Sequence, residues 1–249
     1  MADRLRVCAL YPELMSIYAD RGNLLLLERR CAWRGIGFEL TRVGHGDTLD
    51  PDAHDLFYMG GGQDRDQQLV AEDLHEHKRD ALHAAAARGA AILAVCGGYQ
   101  LLGHHYELGH ERVPGVGLVD LHTVRSEGGP GTRLVGNVAI EVDLSGLEGP
   151  RVLAGFENHG GRTHLGPAAQ PLGRVLAGHG NTGASGSEGV LAGNVIGTYL
   201  HGPLLPKNAW FADWLVQTAL GLEAPLAPLD DRLEDAAHAG ARRAAGVPR

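Results

Sequence analysis

A chain of 249 residues, 44% hydrophobic and 21% charged, is long enough to bury a full core as one large domain or two small ones. Its formal net charge of −8 leaves no basic field to hold nucleic acid. No apolar run reaches the roughly 18 residues of a membrane span, and the start, Met1-Ala2-Asp3-Arg4-Leu5-Arg6-Val7, has no signal-peptide core.

Residues 5–11 predict a first strand, followed by a polar turn. A helix with apolar Leu24 and Leu27 and a basic face of Arg29, Arg30 and Arg34 runs to Gly35, a suitable C-cap. Residues 37–43 predict a second strand, and residues 54–59 a third that ends in Gly60-Gly61-Gly62. Residues 67–88 read as a long helix closed by Gly89. Residues 91–95 then form an apolar run that stops at Cys96, with Gly97 and Gly98 allowing a sharp turn into a helix over residues 99–106. Strands alternating with helices predict a parallel sheet covered on both faces, with active groups at the C-terminal ends of its strands.

After about Gly115 the pattern changes. Residues 118–124, 135–142, 152–156, 173–178 and 189–199 are short strand candidates between Gly and Pro turns. This half reads as more antiparallel and returns to the main sheet before His201. A final helix over residues 209–220 packs Trp210, Trp214 and Leu215. Neither an internal repeat nor a linker stands out, so one domain is expected over residues 1–222. The tail, residues 223–249, is rich in Ala, Pro and charge and is expected to be partly helical, disordered or ordered by a partner.

The three cysteines, Cys8, Cys31 and Cys96, lack CxxC spacing and even pairing, so neither a disulfide framework nor a zinc ribbon is suggested. A reducing cytoplasm is the expected location. Cys96 differs from the other two in its place at a strand-to-helix turn. The geometry is that of a nucleophile elbow, and a helix N-terminus favours the thiolate. A small buried cysteine at a tight turn remains the plainer account.

A cysteine nucleophile needs a base, an oxyanion site and a substrate anchor. His201 is the best base candidate among fourteen histidines, because it follows a predicted strand and precedes a Gly-Pro turn. The loop Gly60-Gly61-Gly62-Gln63-Asp64 follows the strand next to that of Cys96, and glycines let backbone N–H groups approach an anion closely. With the Gly97 N–H it can form an oxyanion hole; it can equally be a flexible turn. His104, His105 and His110 lack nearby carboxylate or thiolate spacing and read as a helix surface rather than a metal site. No phosphate-binding loop is present in the sequence.

Taken together, VCGGYQLLG (95–103), YMGGGQDRDQ (58–67) and GTYLHGPLLPKN (197–208) resemble the class I, triad-type glutamine amidotransferases, and more closely their cobyric acid synthase-like branch. The pieces SIYADRGN (16–23), GFENHGGRT (155–163) and LLPKN (204–208) narrow the resemblance to GatD-type glutaminase subunits, which work with the Mur ligase-like protein MurT. The resemblance spans roughly residues 6–220 and implies an α/β, flavodoxin-like fold. In that fold a mostly parallel central sheet has helices on both faces and added antiparallel strands.

By this resemblance, Cys96 attacks the side-chain amide of L-glutamine, and His201 activates the thiol and protonates the departing ammonia. Water then cleaves the glutamyl thioester. Gly61 or Gly62, with Gly97, supplies the oxyanion donors. Arg133, in TRLVGN (132–137), matches the arginine this family uses on its substrate, and a guanidinium can clamp a carboxylate with two bonds. Gln100 is placed to contact the amide. Without the resemblance, Arg133 reads as a surface arginine and Gln100 as a helix-surface glutamine.

No cofactor is expected in this chain. ATP and Mg²⁺ belong on a MurT-like, Mur ligase-family partner in a heterodimer, which amidates the α-carboxyl of D-glutamate in the lipid II stem peptide to give D-isoglutamine. Any contact with the membrane is then peripheral and made through that complex.

One departure stands out. Many class I members place a glutamate two residues after the histidine to orient the imidazole, whereas this chain has Pro203. The acid is expected from Asp20 or from the partner, which makes the isolated subunit a poor glutaminase. Three alternatives stay open: an amidotransferase for a corrinoid or other carboxylate, a non-catalytic regulatory subunit of a ligase, and a generic cysteine hydrolase. The corrinoid enzymes usually carry a fused ATP-binding domain, which weighs against the first.

Overall fold

The alternation of strand and helix in the first half of the chain builds a layered fold in the computed structural model, which describes residues 4–16, 21–108, 111–125 and 132–247. The first half comprises β1 (Arg4–Leu10), α1 (Arg21–Ala32), β2 (Gly37–Val43), β3 (Leu56–Met59), α2 (Asp64–Asp73), a π-helical turn (Leu74–Lys78), α3 (Arg79–Ala87), β4 (Ala91–Val95) and α4 (Gly97–Leu101). The second half adds β5 (His105–Leu108), β6 (Glu111–Pro114), β7 (Leu121–Arg125), β8 (Leu134–Val142), β9 (Arg151–His159), β10 (Gly161–Leu165), β11 (Gly173–Ala177), β12 (Ser187–Glu188), β13 (Val190–Ala192) and β14 (Val195–Thr198). A 3-10 turn (Leu205–Lys207) and helices α5 (Ala209–Ala219) and α6 (Arg232–Ala244) complete it.

Six strands form the main sheet in the order β13-β14-β4-β3-β1-β2, all parallel except the edge strand β13. Every residue of β3, β4 and β14 is buried, as expected where helices cover both faces. The registers Met59↔Ala94 and Thr198↔Val95 bring the C-terminal ends of these three strands side by side. Gly60, Cys96 and Tyr199 therefore leave the sheet at one edge. Two four-stranded sheets, ordered β10-β7-β5-β6 and β12-β11-β8-β9, carry the antiparallel half; the one parallel pair in them is β5 with β7.

Four expectations need correction. The helix predicted over 99–106 stops at Leu101, and Tyr106 is buried on β5. A continuing helix needs the Leu101 and Leu102 carbonyls, but Val116 donates to the first at 2.9 Å, and Leu118 and Val119 donate to the second. His105 thus lies on a strand, its ring stacked on His122; His110 lies outside the described residues.

The helix predicted over 67–88 starts at Asp64 and is interrupted by the π-helical turn. There Lys78 is wholly buried and pairs with Asp73, which also accepts the Tyr11 hydroxyl at 2.6 Å. The strand predicted over 189–199 is instead a hairpin, turned at Gly193-Asn194 with Gly193 at φ 59°.

Finally, the basic face assigned to α1 is not wholly solvated. Arg30 is 1% exposed and is clamped between Asp213 of α5 and Asp231 ahead of α6. That clamp anchors the tail, together with a 2.9 Å contact from His238 Nδ1 to the Lys207 carbonyl and a 3.1 Å bond from Asn137 to the Ala244 carbonyl.

Candidate active site

Cys96 follows β4 with φ 54° and ψ −109°, a backbone conformation that costs a non-glycine residue energy and survives only where its surroundings impose it. Two bonds do so here. The Cys96 N–H donates to the Thr198 carbonyl at 2.8 Å, and the Gly98 N–H donates to the Gly60 carbonyl at 3.1 Å.

Close approach explains both glycines of the elbow. A Cβ on Gly98 would lie 2.8 Å from the carbonyl oxygens of Met59 and Gly60. One on Gly97 would lie 2.9 Å from Gln67 Oε1 and 3.3 Å from the Gly62 nitrogen. The amide nitrogen of Gly62 therefore lies close against Gly97. Gly62 is itself backed by the Met15 side chain and the Leu14 carbonyl.

The other two cysteines are unsuited to nucleophilic work. Cys8 and Cys31 are wholly buried, and burial pushes their thiols up to about 12 and about 11.

His201 lies three residues beyond β14, where its main chain exchanges two hydrogen bonds with Phe156 of β9 at 2.9 and 3.1 Å. The pairing holds its ring edge-on to Phe156. Burial pushes the imidazole down to about 4, and the positive charges of Lys207, His159 and Arg133 act in the same direction. Glu157 opposes them. The ring is consequently neutral near pH 7, the form a general base must have.

A polar layer lies beneath this edge. Gln67 Nε2 donates to Gln100 Oε1 at 2.7 Å, and Gln100 Nε2 donates to the Tyr199 hydroxyl at 3.1 Å. Tyr199 meets Thr163 at 2.6 Å, and Thr163 meets Thr123 at 2.8 Å. The His159 ring stacks flat on Tyr199 at 3.6 Å, with Nε2 3.7 Å from Glu157. Glu157 accepts the N–H groups of His179 and Gly180 at 2.6 and 2.9 Å.

The structure thus brings Cys96, Gly97, Gly61, Gly62 and Gln100 to one sheet edge, with His201 on the neighbouring strand's exit. Gln100 is committed to side-chain partners within the polar layer. Arg133 is exposed just ahead of β8, its guanidinium plane fixed by two bonds to Asn158 at 2.8 and 2.7 Å. Asp20 lies outside the described residues. Among the described residues, no group of three or more His, Cys, Asp or Glu side chains is arranged to hold a metal ion.

Sequence reasoning assigned no role to Gln67, Glu157, His159, Glu188, Tyr199 or Lys207. Glu157 and His159 sit in the segment 155–163 that carried the narrower resemblance, and Tyr199 and Lys207 in the segment 197–208. Their partners are distant in sequence, so nothing local singles them out.

Residues 6–209 match the CobB/CobQ-like glutamine amidotransferase domain. The chain belongs to this family. It is 36% identical to the lipid II isoglutaminyl synthase (glutamine-hydrolyzing) subunit GatD of Streptococcus pneumoniae, over 87% of this chain and 81% of that protein. The Staphylococcus aureus GatD is 37% identical over 82% and 80% of the two chains.

Among solved structures, a chain of PurLQS from Thermotoga maritima superposes with a TM-score of 0.58 at 22% identity, covering 87% of this chain and 95% of that one. It supports the amidotransferase-like fold. The chain presents its strand-to-helix elbow at the C-terminal edge of the parallel sheet.

Proposed function

We propose that this amidotransferase is the glutaminase subunit of a two-chain synthase that amidates lipid II. The observation that carries the reading is that Cys96 and His201 leave neighbouring parallel strands at one sheet edge, where the Cys96 N–H bonds the Thr198 carbonyl three residues before His201. L-Glutamine enters at the sheet edge, and the Cys96 sulfur attacks its side-chain amide carbon. His201 takes the thiol proton and returns it to the departing ammonia. The N–H groups of Gly97 and of Gly61 or Gly62 receive the oxyanion. Water, deprotonated by His201, cleaves the thioester and releases glutamate. Arg133 pairs with the substrate carboxylate, and Gln100, bonded to Gln67 and Tyr199, would have to release one of them to contact the amide.

A base held near 4 is a weak one, and Pro203 brings no carboxylate to it. A carboxylate arriving from Asp20 or from the partner would raise the imidazole's basicity and fix its tautomer. Full activity therefore belongs to the assembled heterodimer. The MurT-like partner binds ATP and Mg²⁺, activates the α-carboxyl of D-glutamate in the stem peptide and receives the ammonia to give D-isoglutamine. The assembly works in the cytoplasm, reaching the membrane-anchored substrate through the partner. Among the described residues, no helix is long and apolar enough to cross a membrane.

Coverage favours this substrate over a corrinoid. The chain spans 80–81% of the GatD relatives but 37% of the cobyric acid synthase of Pelotomaculum thermopropionicum, to which it is 31% identical. The test is amidation of lipid II by the chain together with a MurT-like protein, with glutamine labelled at its amide nitrogen. Label is expected in the product and lost with Cys96→Ala, and added unlabelled ammonium should then restore amidation without label. Glutamine-dependent amidation that persists in Cys96→Ala would make the chain a binding subunit.

A further inference from the structure

Beneath the catalytic pair lies a carboxyl group that the chemistry above does not use. Glu188 is wholly buried on β12. The following Gly189, at φ 67°, turns the chain straight into β13; a Cβ there would lie 2.6 Å from the Gly197 carbonyl. This turn sets Glu188 against the end of β14. The last β13 pair is Val190↔Gly197, and beyond it the Tyr199 N–H meets Glu188 Oε1 at 2.6 Å instead of another strand. Glu188 Oε2 accepts the Thr198 hydroxyl at 2.9 Å, and that hydroxyl accepts the Leu200 N–H at 3.0 Å.

We propose that Glu188 is a positioning residue for both Cys96 and His201. Its two oxygens hold consecutive residues with different duties. Thr198 supports the nucleophile, because its carbonyl receives the Cys96 N–H at 2.8 Å. Tyr199 begins the three-residue exit that ends at His201, and its ring carries the polar layer under the elbow. One side chain thereby holds the single end of β14 on which the nucleophile leans and from which the base is delivered.

Burial pushes the Glu188 carboxyl up to about 8, with Glu157 adding to the effect and the Tyr199 and Thr198 bonds opposing it. An apolar residue would avoid that desolvation cost but could not accept both bonds. The inference rests on reading Cys96 and His201 as nucleophile and base.

The test uses the full-length chain and the rate of Cys96 alkylation by iodoacetamide at pH 9, where the Glu188 carboxyl is ionised and both its oxygens accept. Cys8 and Cys31 are silent in this assay because both are buried with raised thiols. Glu188→Gln keeps the shape and one acceptor, and Thr198→Val removes the hydroxyl alone. Each is expected to slow alkylation roughly tenfold, since small misplacements near a reacting group cost one to two orders of magnitude. Glutamine turnover should show the same loss in kcat, with KM within about twofold, and Thr198→Ser should restore both rates.

His201→Ala is the control that separates the two layers of the inference. If it slows alkylation while Glu188→Gln and Thr198→Val react like the wild type, Glu188 is merely structural and the proposal fails. If His201→Ala itself reacts like the wild type, the catalytic pairing fails first and the proposal with it. Should Glu188→Gln not fold, Thr198→Val decides alone.

Discussion

Strands β3 and β4 bury hydrophobic residues at every position, whereas the later sheets bury Thr123 on β7, Glu157 and His159 on β9, Thr163 on β10 and Glu188 on β12. Parallel strands covered by helices have no polar surroundings to offer side chains, so their contribution is position. The antiparallel layers meet the main sheet at its C-terminal edge and supply hydrogen-bond partners there. Cys96 is placed by the first region, and the second supplies the polar groups beneath it.

That division can be broken experimentally. The largest effect is expected at the elbow. Cys96→Ala should lower glutamate release roughly 10⁴-fold or more, while urea denaturation finds its stability close to that of the wild type. Retained turnover would place the nucleophile elsewhere.

The second effect concerns pH and the polar layer. His201 is held near 4 in the folded chain, against an ordinary value of 6.5. The unfolded chain binds the extra proton between those values, so this contribution to stability is complete above about pH 6.5 and is lost as pH falls toward 4. Between pH 7 and 5 the wild type should lose about 2 kcal/mol more than His201→Asn. Equal losses would show that the ring is not desolvated.

A third contrast sets a crowded glycine of the parallel region against an open one of the antiparallel region. Gly98→Ala forces a Cβ onto two carbonyl oxygens and should cost about 1–3 kcal/mol, with a matching fall in turnover. Gly136→Ala meets nothing within 4 Å and should stay within about 0.5 kcal/mol of the wild type in the same denaturation assay. Comparable losses at both sites would remove the distinction.

The smallest expected effect is at Arg133, on the exposed rim. Arg133→Ala should raise KM for glutamine roughly tenfold and leave kcat nearly unchanged, since a charged hydrogen bond contributes about 1.5–3 kcal/mol. A fall in kcat at constant KM would instead assign it to the transition state.

Sequence periodicity served the first region well. Runs of apolar residues closed by glycines at Gly35 and Gly89 delimit α1 and α3, both glycines having positive φ, and the Cys96 elbow and glycine loop fall on adjacent strand ends as their order suggested. It failed where distant segments compete for the backbone. The helix predicted after Cys96 ends early because residues 116–119 capture its carbonyls. The face of α1 that reads as basic hides Arg30 because two aspartates, 183 and 201 positions away, reach it. Strands β5, β6, β10 and β12 are short and partly polar, and tertiary pairing rather than local pattern makes them strands.

By itself, then, the sequence determined the alternation of strand and helix, the thiol at a strand-to-helix turn, the glycine loop beside it and a histidine at a later strand end. These depend on local rules: side-chain period, backbone freedom at glycine and the direction of a parallel strand. Only the tertiary structure decided that His201 is neutral and desolvated, that Gln100 and Tyr199 belong to a polar layer, and that Glu157 and Glu188 are buried beside the site. Those properties arise from burial and from hydrogen bonds between distant segments, which no local pattern encodes. The cysteine was therefore visible as a candidate from the start; the polar surroundings it meets were assembled only by folding.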